Sequence, residues 1–502
     1  MNSIRIKNLR SLGDTNAISI KKINVLVGSN SSGKSTFLRV FPLLKQSFNK
    51  KINGPILWCG DDDDYVDFGS FQEALRYKAK NKSISLQFEM ELNYCNDVYY
   101  RRKSKEHTFQ KSKVEFSIKE NTSNGNDYIS ELNYYIENQK VSVKFDSIGE
   151  IVQLDFNGNK IDIDKRKKEF YPLFYDRAIF DISLYQIREI AINKLVSLFL
   201  LSEDDAQTPR ILEEATAYIV NNKIFNIKSS RQYNEKIIDK INKVYKKNQD
   251  FEQWAFLYNF PNYFSELASY LKEYFGNVYY IAPVRATAER YYRLRNAAVN
   301  EVDCRGKNLP VFLNSLSQKN FTQFQNWTQL NLGFEVVKTT SEGHVSLKIK
   351  KEGQERAVNL SDTGFGYSQI LPIVTQIWYI AKQAEEEKDL PFYISKYYVP
   401  TTIVIEQPEL HLHPALQAKL IDIIVKVASQ ENINFIIETH SETMVNRIGN
   451  AIAKKEINNK DVGVIIFEKD FGEDDTTIKK GGFDEEGYLE NWPIGFFEPG
   501  ME

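Results

Sequence analysis

Cysteine is scarce in this sequence, and the few cysteines lie far apart. Cys59, Cys95 and Cys304 are the only three among 502 residues. They make no C-x-x-C pair of the kind that binds zinc, and three isolated thiols provide no disulfide framework. The sequence therefore excludes a small disulfide-stabilised secreted domain, and we expect a protein of the reducing cytoplasm.

Long apolar runs and an excess of one charge are missing as well. No run of eighteen apolar residues occurs, so the sequence predicts no membrane-spanning helix, and residues 1–6 do not resemble a signal peptide. With 65 basic and 67 acidic residues the formal net charge is −2, which argues against a strongly basic nucleic-acid-binding protein. Two basic runs, at 101–105 and 165–168, could still contact a phosphate backbone, or they could be solvated loops.

Residues 28–36 match the phosphate-binding pattern G-x-x-x-x-G-K-S. The apolar run at 23–27 predicts a buried strand before this loop, and a helical pattern begins after it. A chance glycine-rich turn would not have this strand, loop and helix in succession. The residues that we expect to surround a phosphate are Gly28, Asn30, Ser31, Ser32, Gly33, Lys34, Ser35 and Thr36.

Each residue type in this loop has a chemical purpose. Gly28 and Gly33 permit backbone angles that let successive N–H groups curl around a phosphate, and the following helix adds the positive end of its dipole. Lys34 can reach the β- and γ-phosphates of a nucleotide, and the Ser35 hydroxyl can hold Mg²⁺. Arg10, in the turn after the first predicted strand, could contact the nucleotide or could be a surface arginine.

The length of the chain suggests two or three domains, and the patterns divide it into three. Residues 1–165 contain the phosphate-binding loop and, from about 83 to 164, several stretches that alternate polar and apolar residues and predict an antiparallel meander. Residues 166–275 have helical periodicity. Residues 276–502 return to strands that alternate with helices, so the fold class is α/β.

The last of these regions provides a second set of polar residues. The small residues and hydroxyls at 361–368 precede an apolar helix whose N-terminus could face an anion. The residues that we single out in this loop are Ser361, Gly364, Gly366 and Ser368.

Two buried strands then end in polar residues. The strand at 402–406 ends at Glu406, whose carboxylate can hold Mg²⁺ through water. His440 follows the end of the strand at 434–438, where open α/β sheets bind ligands. A single histidine is more often structural, but this one belongs to a consistent set. About 300 residues separate this set from the phosphate-binding loop.

These motifs together resemble an ABC-type ATPase head of the SMC and recombination-repair kind, and most nearly the OLD-like (overcoming-lysogenization-defect) AAA-type ATPases of bacterial anti-phage defence. The segment NLRS at 8–11 resembles their N-terminal motif, and 360–369 resembles their signature loop. Residues 406–414 match their E-x-P-E-x-H-L-H-P pattern, and THS at 439–441 matches their switch. Residues 484–487 and 491–497 resemble the tail of a bacterial subfamily.

The resemblance implies an SMC-like ATPase head with an antiparallel β subdomain and a helical insertion. It further implies a head-to-head dimer, or a larger homo-oligomer, that encloses ATP and Mg²⁺ between protomers. Ser361 or Ser368 would then contact the γ-phosphate bound by the partner protomer, and the sequence does not decide between them. Gln46 and Gln72 are the candidates for the glutamine that senses Mg²⁺.

Two positions depart from the pattern of the family. Gln407 occupies the place of the glutamate that activates water, and a neutral amide has no basic lone pair near pH 7. We therefore predict slow hydrolysis and a long-lived ATP-bound dimer, with Glu409 as the alternative base. His413 replaces the usual aspartate of the D-loop, the segment through which such subunits communicate.

We do not expect a counterpart of the TOPRIM nuclease that many OLD proteins carry, because about 60 residues follow His440 and the acidic residues among them are few. We therefore expect a separate effector protein, encoded nearby, and an ATP-gated sensor of anti-phage defence that controls it. The alternative function is a DNA-clamping ATPase of repair or recombination. A transporter subunit fits poorly, since the motifs of transport ATPases are not split by an insertion of this length.

Overall fold

The computed structural model describes residues 1–50, 52, 54–61, 64–92, 110–161, 184–199, 250–283, 288–293, 301–388, 399–469 and 475–492. The chain forms two compact units. The first, called unit 1, comprises Met1–Asn2, Lys50–Leu57 and Lys82–Glu273, and unit 2 comprises Ser3–Asn49, Trp58–Asn81 and Tyr274–Glu502. The three-domain division at 1–165, 166–275 and 276–502 stays a prediction.

Strands and helices are numbered along the chain. The strands are β1 (Ser3–Leu9), β2 (Leu12–Asp14), β3 (Ile18–Ser19), β4 (Ile23–Gly28), β5 (Ile84–Leu92), β6 (Gln110–Glu120), β7 (Asp127–Ile136), β8 (Gln139–Phe145), β9 (Ile151–Phe156), β10 (Asn159–Ile161), β11 (Val278–Ile281), β12 (Tyr292–Arg293), β13 (Phe334–Ser341), β14 (His344–Lys351), β15 (Val358–Asn359), β16 (Thr401–Glu406), β17 (Ile433–Glu438), β18 (Val462–Glu468), β19 (Thr477–Phe483) and β20 (Leu489–Glu490). The helices are α1 (Lys34–Asn49), α2 (Phe71–Ala74), α3 (Tyr185–Phe199), α4 (Asp250–Gly276), α5 (Leu309–Ser315), α6 (Gln318–Leu332), α7 (Phe365–Lys388), α8 (Pro414–Gln430) and α9 (Glu442–Ala453), with single 3₁₀ turns at Leu360–Asp362 and Asn459–Asp461.

Unit 1 contains the predicted antiparallel meander. Strands β5 to β10 pair in chain order, each antiparallel to the one before it. Every second residue of β6 from Val114 to Ile118 is buried, as expected for a strand with one face on a core. Aromatic side chains of α4 pack on the same core, and the rings of Phe260 and Tyr134 lie 5.5 Å apart. The antiparallel part of the predicted fold is confirmed, whereas most of the predicted helical insertion lies outside the described residues.

Unit 2 is built on a seven-stranded sheet with the order β11-β16-β17-β4-β18-β19-β20. The first five of these strands are parallel, and β19 and β20 run antiparallel at one edge. All six residues of β4 are buried, because helices cover a parallel sheet on both faces. The α/β fold class is thereby confirmed.

The register of this sheet decides what lies at its functional edge. Parallel strands end on the same side, so the loop after β4 and the last residues of β16 and β17 meet there. Glu406 at the end of β16 is the direct neighbour of Glu438 at the end of β17, and Glu438 is in turn paired with Leu26 of β4. Residues far apart in sequence thus converge. Within the described ranges, no helix is both long and apolar enough to cross a membrane.

Candidate functional site

A cavity of about 330 Å³ opens at this edge of the sheet in unit 2. Both ends of the chain contribute to its walls. The lining residues are Arg10, Ser11, Asn30, Ser31, Ser32, Gly33, Lys34, Ser35, Thr36, Gln407, Glu438 and His440. Seven consecutive residues of the predicted phosphate-binding loop are among them, so the structure brings together the loop and part of the polar set predicted from the C-terminal region.

Two glycines determine the path of the loop. Gly28 has a φ angle of 148°, and a Cβ atom there would lie 2.0 Å from the carbonyl oxygen of Phe467. Gly33 has a φ angle of 94°, and its Cβ would lie 2.8 Å from Oγ of Ser11. Only glycine tolerates both the backbone angle and the close approach. The loop therefore packs closely against Phe467 and Ser11, in the type of glycine-rich turn whose N–H groups can surround an anion.

Lys34, the first residue of α1, is buried beneath the loop. Its ammonium group donates to the carbonyl oxygens of Gly28 at 3.1 Å and of Ser29 at 2.6 Å. Burial lowers the pKa of Lys34, while the nearby carboxylates of Glu438 and Glu409 oppose this shift. The lysine therefore provides a desolvated positive charge next to the cavity, where a phosphate would bind it strongly.

Glu438, at the end of β17, is the carboxylate that lines the cavity. Its side chain is buried, and the Ser35 hydroxyl lies 2.9 Å from Oε1 and 2.8 Å from Oε2. Burial raises the pKa of Glu438 to about 7, and the negative charge of Glu406 adds to this effect. The hydrogen bond from Ser35 and the positive charges of Lys34 and Arg39 act in the opposite direction.

Glu406, at the end of β16, is bound by a different set of groups. Arg39 of α1 donates to its carboxylate from Nε at 3.0 Å and from Nη2 at 2.7 Å. The Tyr280 hydroxyl donates at 2.7 Å. Burial alone would lower the pKa of Arg39, but the hydrogen bonds and the charge of Glu406 raise it above its ordinary value. Glu406 is not among the residues that line the cavity.

His440 and Gln407 also line the cavity. The backbone N–H of His440 donates to Oε1 of Glu409 at 2.7 Å. Burial and the charge of Lys34 lower the pKa of His440, so its imidazole is neutral near pH 7. Gln407 adopts a φ angle of 45° and donates its backbone N–H to the carbonyl oxygen of Glu438 at 2.9 Å. A non-glycine residue in this left-handed region stores strain of about 1–3 kcal/mol, which is common at functional sites.

The predicted signature loop does not line the cavity. Ser361 is exposed, and its hydroxyl lies 2.9 Å from Oδ1 of Asn359. Ser368 is buried in the first turn of α7, and its hydroxyl donates to the carbonyl oxygen of Phe365 at 2.8 Å. Gly364 is exposed with a φ angle of 78°, and Gly366 packs near the carbonyl oxygen of His411. Of the two candidate serines, Ser361 is the one that another molecule can reach.

The remaining predicted residues divide between the cavity and other roles. Arg10 lines the cavity with its guanidinium 4.4 Å from the centre of the Phe68 ring, and burial lowers its pKa. Gln46 is buried and exchanges hydrogen bonds with the backbone N–H and carbonyl oxygen of Val66, and Gln72 is exposed on α2. Neither glutamine lines the cavity. His413 caps α8, since its Nδ1 accepts from the backbone N–H of Ala415.

Three residues of this region are missing from the sequence prediction: Glu438, Arg39 and Tyr280. The signal for Glu438 was present, because β17 is an apolar strand that ends in a carboxylate just as β16 does. Arg39 and Tyr280 carried no such signal. The basic runs at 101–105 and 165–168 lie outside the described residues.

The comparisons with known proteins address the family. A model of the AAA ATPase domain matches residues 1–445. No curated protein matches the chain. Among solved structures, the SMC head domain from Thermotoga maritima is similar at 10% identity, with 95% of this chain and 98% of that chain covered and a TM-score of 0.32.

Two further structures are similar to the same degree. The Smc head domain with a coiled coil and joint from Pyrococcus yayanosii has 12% identity, with 97% of each chain covered and a TM-score of 0.35. An Smc head bound to the C-winged helix domain of ScpA has 12% identity, with 95% of this chain and 96% of that chain covered and a TM-score of 0.35. These values describe a distant likeness. The family model, in contrast, spans most of the sequence, and the chain therefore belongs to the AAA ATPase domain family.

Proposed function

We propose that this AAA-type ATPase binds ATP with Mg²⁺ in the cavity, hydrolyses it slowly, and uses an ATP-bound dimer or larger homo-oligomer to control a separate effector protein. The observation that carries the proposal is the cavity itself. The phosphate-binding loop and its buried lysine from the N-terminal part of the chain, and Gln407, Glu438 and His440 from the C-terminal part, line one space of about 330 Å³.

The residues present fit a nucleotide and its metal. Oγ of Ser32 and Nε2 of His440 are buried and have no hydrogen-bond partner among the described residues. Such groups are costly unless a ligand or water satisfies them. Lys34, Ser32 and the N–H groups of the loop would hold the phosphates, and His440 would donate to the terminal phosphate. Mg²⁺, when bound, neutralises charge on the phosphate oxygens.

The expectation of slow hydrolysis rests on Gln407 and Glu409. Gln407 is the residue at the cavity where related enzymes have a base, and its amide can orient water but cannot accept a proton from it. Glu409, the other candidate base, already accepts the backbone N–H of His440. This contact gives Glu409 a positioning role, because it fixes the turn that carries the histidine.

Glu409→Gln tests this role. The amide oxygen can still accept the N–H of His440, so we expect the single-turnover rate of ATP hydrolysis to stay unchanged. A base would behave differently, since its loss costs about 100- to 10,000-fold in rate. A fall of that size in rapid-quench measurements, with ATP affinity retained, would identify Glu409 as the base instead.

The dimer that we propose places the signature loop of one protomer against the nucleotide of the other. Exposure of Ser361 supports this arrangement, as does the exposed ring of Phe365 beside it, which is 60% accessible and 5.9 Å from the ring of His411. An apolar ring at the rim of a polar loop is a typical interface feature. The dimeric state follows from the resemblance stated above and is tested by mutation.

Ser361→Ala and Ser368→Ala form a matched pair, because each removes one hydroxyl from the predicted signature segment at 360–369. We expect Ser361→Ala to weaken ATP-dependent dimerisation, measured by light scattering, and to leave the melting temperature unchanged. Ser368→Ala removes a buried hydrogen bond to Phe365, so we expect it to lower stability by about 1 kcal/mol and to leave dimerisation intact. The opposite pattern would make Ser368 the residue that contacts ATP.

The role in anti-phage defence rests on the OLD-like resemblance and is therefore an analogy. The experiment that tests it is the native mass of the tagged chain, expressed with its chromosomal neighbours and purified with ATP and Mg²⁺. We expect a stable assembly that contains a second protein, which would be the effector. If the chain remains alone, dimerises on ATP and retains DNA with salt-dependent affinity, the proposal gives way to a DNA clamp.

A further inference from the structure

Two adjacent strands next to the phosphate-binding loop both end in a carboxylate, so two residues are candidates for the metal ligand. Glu406 and Glu438 are direct neighbours in the register of β16 and β17, and both are buried. The pattern of an apolar strand that ends in an acid applies equally to both. Which of them serves a metal ion must therefore be decided from their contacts.

The contacts of Glu406 are those of a structural carboxylate. The Arg39 guanidinium donates to it from two nitrogens, and the Tyr280 hydroxyl donates to it as well. Arg39 lies one helical turn after Ser35 on α1, so the ion pair ties this helix to the end of β16. A carboxylate in a two-point ion pair with arginine has its charge already compensated, and Glu406 does not border the cavity.

The contacts of Glu438 are those of a metal ligand. Its side chain borders the cavity, and both of its carboxylate oxygens lie within 2.9 Å of the Ser35 hydroxyl. Mg²⁺ prefers oxygen ligands in octahedral geometry at about 2.0–2.1 Å, which places adjacent ligands about 3 Å apart. The spacing between Ser35 of α1 and Glu438 of β17 already agrees with that requirement.

We infer that the Mg²⁺ that accompanies the nucleotide is held by Ser35 and Glu438, while Glu406 is a positioning residue that fixes α1 through Arg39. The inference rests on the proposed function, because it concerns the metal that arrives with ATP. It reassigns the metal carboxylate from the end of β16 to the end of β17, one strand closer to the loop.

The test compares ATP affinity with and without the metal. A fluorescent ATP analogue is titrated into the full-length protein in Mg²⁺ and in EDTA. The readout is the dissociation constant in EDTA divided by the dissociation constant in Mg²⁺. We expect Glu438→Gln to lower this ratio by about 10- to 100-fold, and its affinity in EDTA to equal or exceed that of the unmodified protein. The affinity in EDTA should not fall, because the substitution removes a negative charge near the phosphates. Retained affinity in EDTA also shows that the pocket is folded.

Two variants complete the comparison. Glu406→Gln is expected to keep the metal dependence of the unmodified protein. Asp422→Asn is the control for loss of a carboxylate elsewhere, because Asp422 pairs with Arg447 on the surface of α8 and α9. If Glu438→Gln does not fold, Glu438→Asp replaces it, since the shorter side chain keeps the charge but no longer reaches the position beside Ser35.

The outcomes are distinct. A metal dependence that is lost in the Glu438 variant and kept in the Glu406 variant supports the assignment. A dependence that is kept in the Glu438 variant, or lost in a folded Glu406 variant, overturns it. If the unmodified protein binds the analogue in neither condition, the proposed function itself fails, whereas binding that ignores Mg²⁺ in the unmodified protein overturns the metal assignment alone.

Discussion

Gln407→Glu is expected to raise the single-turnover rate of ATP hydrolysis by about 100-fold or more, because it places a proton acceptor where the chain has a neutral amide. Gln407 lines the cavity next to Glu438 and His440. Glutamate has nearly the same size and shape as glutamine, so the left-handed backbone at this position, with a φ angle of 45°, is not further strained. The rate is measured by rapid quench with enzyme in excess over ATP.

A control variant distinguishes the effect of an added proton acceptor from the effect of altered packing at position 407. Gln407→Leu removes the polar group without adding a base, and we expect no acceleration from it. ATP affinity of both variants is measured in parallel, since the added carboxylate lies near Glu438 and weakens phosphate binding by repulsion. An unchanged rate in a Gln407→Glu variant that binds ATP would contradict the view that slow turnover results from the missing base.

The strand, glycine-rich turn and helix around residues 28–36 could be predicted from sequence because their requirements are local. Gly28 and Gly33 both have positive φ angles, and a Cβ atom would meet the backbone of Phe467 at Gly28 and the side chain of Ser11 at Gly33, so both positions require glycine. Lys34 and Ser35 follow directly, so a single short segment contains most of the information. The buried strand before it and the helix after it were predicted for the same reason and are confirmed as β4 and α1.

The roles of Glu406 and Glu438, the carboxylates at the strand ends, could not be predicted from the local sequence. The sequence predicts that β16 and β17 end in acids, but the partner of each acid depends on the order of strands in the sheet. Arg39 reaches Glu406 and Ser35 reaches Glu438 because α1 passes over both strand ends. The family pattern favoured Glu406 as the metal carboxylate, and only the tertiary contacts draw attention to Glu438.

Burial distinguishes the members of the two other pairs of candidate residues. Gln46 and Gln72 look alike in sequence, yet one is enclosed against the backbone of Val66 and the other is exposed on a short helix. Ser361 and Ser368 differ in the same way. Helical periodicity places a residue on a face of its own helix but does not say what covers that face, so these choices needed the packing of the whole unit.

Arg39→Met is expected to cost about 3 kcal/mol of unfolding free energy, because it leaves Glu406 buried without its counter-charge. The Glu406 side chain is only 3% exposed, whereas that of Arg39 is 33% exposed. The buried carboxylate would keep the Tyr280 hydroxyl as a donor but lose both hydrogen bonds from the guanidinium. Urea unfolding, followed by circular dichroism, measures the loss.

Adding Glu406→Gln to Arg39→Met should restore much of the lost unfolding free energy. Arg39→Met combined with Glu406→Gln removes the charge that was left buried, so we expect the double variant to be more stable than Arg39→Met alone, with a coupling energy of about 1–3 kcal/mol. Arg447→Met is the matched control. Arg447 binds Asp422 through the same two-point geometry, but the two side chains are 33% and 40% exposed, and such a pair contributes only about 0–1 kcal/mol. Equal losses in Arg39→Met and Arg447→Met would mean that burial of Glu406 has no energetic consequence, and the positioning role of this ion pair would then be wrong.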